Sequence, residues 1–256
     1  MIQLGKEHYE QVRPLFACCN DTTCWTVLQG IAGQIWCDKE LQPAYGICTY
    51  GDFAFAAGVP EADICQEAFV EIPRGKELIW VPLTEEWSRE LADCQELKAG
   101  LRYAVTKKKD QFDKVLLQRY IDGLNPEYRI SPITYKIAEQ VLKEDWSRDF
   151  CANYQSIEDY LEHGEGYVIL DGEKVIAGAS SYSYYDKGIE IEIATHPNYR
   201  RQGLATIVGA RLVLKCVEKG LYPSWDAANW ESVKTSRKLG YEFLNEYTVY
   251  VSKGED

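Results

Sequence analysis

The residue types best suited to chemistry fall in one stretch, Thr195-His-Pro-Asn-Tyr-Arg200-Arg201-Gln202-Gly203-Leu204-Ala205. An alternating run ends just before it, and a helix-forming run, Leu204 to Lys219, starts inside it. The start of a helix presents unsatisfied N–H groups and a partial positive charge, so it attracts phosphate. Gly203 lets the backbone come close to a ligand, and Ala205 is too small to obstruct one. Arg200 and Arg201 add positive charge beside the same point. A pyrophosphate is the natural guest. Taken in isolation, Gly203 reads equally as a turn residue, and the two arginines as a solvated pair.

Two carboxylates sit next to this stretch. In the run Ile189 to Thr195, Ile189, Ile191 and Ile193 share one face, while Glu190 and Glu192 share the other, the pattern of a half-buried strand. A carboxylate there can serve as a general base, and Glu192 lies nearer the loop. The competing reading is a pair of exposed carboxylates that attract cations.

The surrounding elements alternate. Tyr167 to Leu170 reads as a strand, Asp171-Gly172 as a hairpin turn, and Lys174 to Tyr184 as a second strand. After the loop and its helix, Gly220 marks a stop. Tyr222 to Asp226 reads as a short strand. Asn229 to Leu239 reads as a helix with Asn229 as its N-cap, and Tyr241 to Val251 as a last strand or hairpin. Further upstream, Glu7 to Phe16, Thr84 to Lys98, Asp110 to Ile121, Pro132 to Lys143 and Ile157 to His163 read as helices. Gly46 to Val59, Leu78 to Val81 and Arg102 to Thr106 read as strands. Pro and Gly punctuate the chain at Gly123-Leu-Asn-Pro126 or, a little further on, at Ile130-Ser-Pro132, and the first is taken as the boundary. That divides it into an N-terminal α/β half, 1–125, of unknown role, and a second half, 126–256.

Composition narrows the classes. The chain has 256 residues, 46% of them hydrophobic and 27% charged, enough for a packed core. A net charge of −12 argues against a nucleic-acid partner, because a basic footprint is missing. It is compatible with drawing in a cationic small molecule. No run approaches the roughly 18 apolar residues of a membrane span. Lys6, Glu7, Glu10 and Arg13 interrupt the place a signal peptide would occupy. Nine scattered cysteines fit reduced thiols in a cytoplasm, and no spacing of Cys or His suggests a metal.

The order hairpin, alternating strand, Arg200-x-x-Gly203-x-Ala205, helix, short strand and Asn-headed helix resembles the GNAT (Gcn5-related) N-acetyltransferases. Their signature is Arg/Gln-x-x-Gly-x-Gly/Ala. Trp225-Asp-Ala-Ala-Asn229-x-x-Ser232 with Leu239-Gly-Tyr241 resembles their zwittermicin A resistance-like members, which carry an extra N-terminal half of this size. The resemblance implies a mixed, mostly antiparallel sheet with helices on both faces, in which the Ile189–Thr195 and Tyr222–Asp226 strands splay apart. It implies acetyl-CoA as cosubstrate, held by Ile193, Ala194 and Thr195 along the pantetheine, by Gln202, Gly203, Leu204, Ala205 and Thr206 at the pyrophosphate, and by Asn229 and Ser232 near the last helix. It implies an acetyl group passed to a primary amine of a small molecule, with Glu192, preferred, or Glu190 as base. An alkyl ammonium has a pKa of about 10.4, so neutralising it near pH 7 costs roughly 4–5 kcal/mol, which a general base or a water chain leading to one lowers. The usual tyrosine that protonates the leaving thiolate falls on Ser236. This departure leaves Tyr241 or Tyr247 as other donors, and keeps open a non-catalytic acyl-CoA-binding or sensing module. The role of the N-terminal half stays open between a degenerate GNAT-like copy, a cover for the acceptor and a homodimer surface.

Overall fold

The computed structural model describes residues 1–62, 64–72, 78–106 and 111–252. The chain forms two compact units, Met1–Arg102 with Glu246–Asp256, and Tyr103–Asn245. Each is an α/β unit built around a mainly antiparallel sheet.

In the first unit β1 (Ile2–Gln3) pairs antiparallel with β2 (Gln34–Cys37). Helical turns fill Lys6–Phe16, as α1 (Tyr9–Val12) between two 3-10 turns. Pro14 lacks an amide N–H, which suits a tightened end. Next come α2 (Thr22–Leu28), capped by Asp21, and then β2, β3 (Tyr45–Tyr50) and β4 (Phe53–Gly58) as an antiparallel meander. After α3 (Ile64–Glu71), β5 (Ile79–Pro82) runs parallel to β4. The helix α4 (Glu85–Asp93) is capped by Thr84, whose hydroxyl accepts the Trp87 amide. The helix stops short of Lys98, because Leu97–Thr106 is already β6. Trp80, Trp87 and Leu91 are fully buried at the centre of this core.

In the second unit α5 (Lys114–Asp122) starts at Asp113, whose carboxylate accepts the amides of Val115 and Leu116. The expected helix start at Asp110 lies outside the described residues. Next come β7 (Tyr128–Pro132), α6 (Tyr135–Val141) and α7 (Ile157–His163). The strands β8 (Gly166–Asp171), β9 (Lys174–Tyr185) and β10 (Gly188–Thr195) follow, all antiparallel with β7 at the edge. The long helix α8 (Leu204–Glu218) leads to β11 (Tyr222–Ser224), β12 (Asp226–Ala227), α9 (Trp230–Lys238) and β13 (Glu242–Ser252).

Helices cover both faces of the five-stranded sheet β11-β10-β9-β8-β7. On one face Leu117 of α5 and Val208 and Leu212 of α8 pack with Ile189 and Ile191. On the other, Ile137, Phe150 and Tyr160 pack with Val168 and Leu170. The alternation of β10 thus sends its isoleucines to α8 and its glutamates to the opposite face.

The compact units part at Arg102/Tyr103, upstream of the Gly123–Pro126 punctuation. The reason lies in α5: Leu117 has no exposed surface and belongs to the same core as α8. Leu117→Ala is therefore expected to destabilise the second unit by about 2–5 kcal/mol, the usual loss for a buried leucine. Urea unfolding followed by tryptophan fluorescence checks this. A loss below about 0.5 kcal/mol would mean that α5 is not part of that core.

Candidate functional site

The site is built on a fork in the sheet. β10 and β11 run parallel for three residue pairs, Gly188 with Tyr222, Ile189 with Pro223 and Glu190 with Ser224. Then they separate. The chain after Ser224 leaves this sheet, and Asp226–Ala227 pairs instead with Ala104 and Tyr103 of β6. On the opposite side β10 stays paired with β9 through Thr195, with a bulge between Glu190 and Ile191. Ile191 to Thr195 therefore have no ladder partner on the β11 side among the described residues. Ile193, Ala194 and Thr195, half-buried, line this open edge with backbone groups. An opening bordered by backbone donors and acceptors suits a ligand rich in amides.

The closed end of the fork is tightly held. A Cβ on Gly188 would lie 2.1 Å from the Tyr222 carbonyl oxygen, so only glycine permits this close approach. The Tyr241 hydroxyl donates to the Pro223 carbonyl at 2.6 Å. The Trp225 indole donates to Ser232 Oγ at 3.0 Å. The Asp226 amide donates to Glu190 Oε1 at 2.8 Å. Sequence reasoning missed Gly188, Tyr241 and Trp225 as fork residues. The one local signal was Gly188 standing at the head of an alternating strand.

Beyond the open end, the loop turns sharply into α8. The His196 amide donates to the Ile176 carbonyl at 3.0 Å. Tyr199 donates its hydroxyl to Asp171 at 2.8 Å, and Arg200 Nε donates to the Thr195 carbonyl at 3.3 Å. Arg201 and Gly203 both have left-handed backbone, with φ +64 and +79. For Arg201 this costs about 1–2 kcal/mol, which is the kind of strain found where function over-determines a conformation. Gly203 is the N-cap of α8 and offers no side-chain cap. The first amides of α8 therefore lack the partner that capping would supply. Arg200, Arg201, Gln202 and Gly203 are exposed, while Leu204 and Thr206 anchor the helix in the core and Ala205 is half-buried. Space above Gly203 is open: nothing lies within 4 Å of an added Cβ.

The remaining expected residues divide. Asn229 caps α9, its Oδ1 accepting the Ser232 amide at 2.9 Å. Glu192 is half-buried, and Glu190 is buried. Ser236 has no exposed surface, and its hydroxyl donates to the Val233 carbonyl at 3.0 Å, so its proton is committed inside α9. Tyr241 is likewise committed to Pro223, and Tyr247 belongs to the first unit. Among the described residues no three His, Cys, Asp or Glu side chains gather to hold a metal. All nine cysteines are free thiols, with Cys18 exposed and Cys94 half-buried. No described helix is long and apolar enough to cross a membrane.

Burial pushes the Tyr241 phenol well above its ordinary 10.0, and Tyr222, Cys216 and Glu190 nearby add to this. The folded chain keeps that proton where the unfolded chain loses it. Stability from this group is therefore full below about pH 10 and falls as pH rises beyond it. The urea midpoint is expected to drop between about pH 9 and pH 11, and less steeply in Tyr241→Phe. Equal slopes in the two proteins would contradict the buried, protonated phenol.

The family model described as GNAT acetyltransferase matches residues 13–250. The uncharacterized N-acetyltransferase YdfB of Bacillus subtilis is 29% identical, covering 98% of this chain and 98% of its own. A GCN5-related N-acetyltransferase-like protein from Streptococcus suis, known as a crystal structure, is 38% identical. It superposes with a TM-score of 0.88, covering 96% of this chain and 99% of that one. A GCN5-related N-acetyltransferase from Kribbella flavida shares the fold at 14% identity, with a TM-score of 0.62 over 92% of this chain and 95% of its own.

Proposed function

The chain belongs to the GNAT acetyltransferase family, and from that premise we propose that it moves an acetyl group from acetyl-CoA to a primary amine of a small molecule. The observation that carries this reading is the uncapped start of α8, reached through left-handed Arg201 and Gly203 beside the open fork. Amides from Gln202 to Thr206 would receive the pyrophosphate, with Arg200 and Arg201 at the rim. The pantetheine arm would lie along Ile193, Ala194 and Thr195. Asn229 and Ser232 border it at α9.

The amine attacks the thioester carbonyl, and a bond forms between nitrogen and carbon. A backbone N–H on the open edge of β10 stabilises the oxyanion. Collapse breaks the carbon–sulfur bond. Glu192, half-buried on the polar face of β10, accepts the proton that the amine loses. Ser236 and Tyr241 already donate to carbonyls, so in this reading the thiolate takes its proton from solvent. The same two bonds favour the second reading, an acyl-CoA-binding or sensing module without turnover.

Two further features support finer points. Trp225-Asp-Ala-Ala-Asn229 resembles the zwittermicin A resistance-like members, which supports a small-molecule acceptor. The first unit repeats the element order of the second: edge strand, helices, three antiparallel strands, a helix, and a parallel strand. After Gly58 it carries Val59-Pro60-Glu61 where the second unit has arginines. A carboxylate there repels phosphate, so we read this unit as a degenerate copy that takes no acyl-CoA.

Calorimetric titration with acetyl-CoA tests the reading. Micromolar binding by the wild type, at a stoichiometry of one, is expected to weaken about a hundredfold or more in Gly203→Glu, which sets a carboxylate against the pyrophosphate. Undiminished binding by the variant would place the cosubstrate elsewhere. Across a panel of primary amines, Glu192→Gln is expected to lower kcat about 10²–10⁴-fold with acetyl-CoA affinity unchanged. Full activity in that variant would remove Glu192 as the base. Tight binding with no transfer to any amine would favour the sensing module.

A further inference from the structure

Glu190 and Glu192 share one strand face, yet the structure gives them different surroundings. Glu190 stands on the last rung of the parallel ladder, opposite Ser224. The residue is only 7% exposed. Its Oε1 accepts the amide of Asp226, two residues past that rung, at 2.8 Å. Asp226 is where the departing chain enters β12 and pairs with Ala104. The carboxylate thus takes up a backbone donor just where the ladder ends. A parallel sheet that opens must leave such a donor behind, and a buried one needs a partner. The bulge between Glu190 and Ile191 lies at the same point and re-aims the residues that follow. Ser183, the cross-strand neighbour of Glu190, is fully buried, and its hydroxyl has no hydrogen-bond partner among the described residues. Ser183 thus does not share the carboxylate, whose Oε1 reaches the departing strand.

We infer that Glu190 is a positioning residue: its carboxylate holds the Asp226 amide and so sets the opening between β10 and β12 into which acetyl-CoA fits. Proton removal then falls to Glu192 alone. The inference rests on the acyltransferase reading for its functional consequence, though not for the strand contact itself. Glutamine keeps an acceptor oxygen at the same reach but takes no proton at neutral pH. Alanine keeps neither. The Gln and Ala variants therefore separate a strand holder from a base.

The experiment measures three quantities in wild type, Glu190→Gln and Glu190→Ala: amide exchange at Asp226, calorimetric affinity for acetyl-CoA, and the pH profile of acetyl transfer to the best amine of the panel. In Glu190→Ala, exchange at Asp226 is expected to quicken, and acetyl-CoA binding to weaken, each by about ten- to a hundredfold, the range for losing a hydrogen bond to a charged acceptor. The loss in transfer should appear in KM for acetyl-CoA more than in kcat. Glu190→Gln should restore exchange and affinity to within about threefold and keep the wild-type pH profile. Equal exchange at Asp226 in all three proteins would overturn the inference. So would a Gln variant as inactive as Ala, with a displaced pH profile but normal exchange, since that is the behaviour of a base. Failure of the wild type to bind acetyl-CoA would sink the acyltransferase reading instead, and exchange at Asp226 would still decide what Glu190 holds.

Discussion

The structure of the second unit depends on one constraint: a sheet must open without abandoning buried backbone groups. A parallel pair normally continues or is covered, because each lost rung strands a donor and an acceptor. Here the β10–β11 ladder lasts for Gly188, Ile189 and Glu190 and then stops. Asp226 goes to Glu190, Pro223 to Tyr241, and β12 to β6. With one arm of the fork tied back in this way, the edge of β10 beyond Glu190 is left without a ladder partner on that side among the described residues. The packing of Ile189 and Ile191 against α8 holds the other arm still.

Electrostatics at the site run against the charge of the whole. The chain carries a net −12, yet the loop entering α8 offers two arginines, left-handed turns and an uncapped helix start. Local donors within a few ångströms outweigh distant charge, which solvent screens over about 8–10 Å. In the proposed reading, the acidic remainder is no obstacle to an anionic cosubstrate at this loop and would favour the approach of a cationic amine.

Much of this was legible in the sequence, because it is local. The alternation of Ile189 to Thr195, the Arg200-x-x-Gly203-x-Ala205 turn, the Asp171-Gly172 hairpin and the Asn229 cap each depend on neighbours a few residues away. The misses have physical causes. The helix Thr22–Leu28 is rich in β-branched residues, which read as strand. The strand Tyr128–Pro132 is an edge strand, short and proline-ended, where the strand signal is weakest. Tyr222 to Asp226 reads as one run, but it is two strands, because Asp226 finds its partner on β6, far away in sequence. The two glutamates look alike by period. Only tertiary contact tells that Glu190 is spent on Asp226, and only burial tells that the Ser236 hydroxyl is enclosed in its own helix.

In the proposed function, the open edge of β10 and the uncapped start of α8 form one acyl-CoA site. Hydrogen exchange of the whole chain, with and without saturating acetyl-CoA, tests it most directly. Slowed exchange is expected in two separate segments together, Ile193–Thr195 and Gln202–Thr206, with the amides of α3 in the first unit unchanged. Protection at α3, or none at Gln202–Thr206, would contradict it.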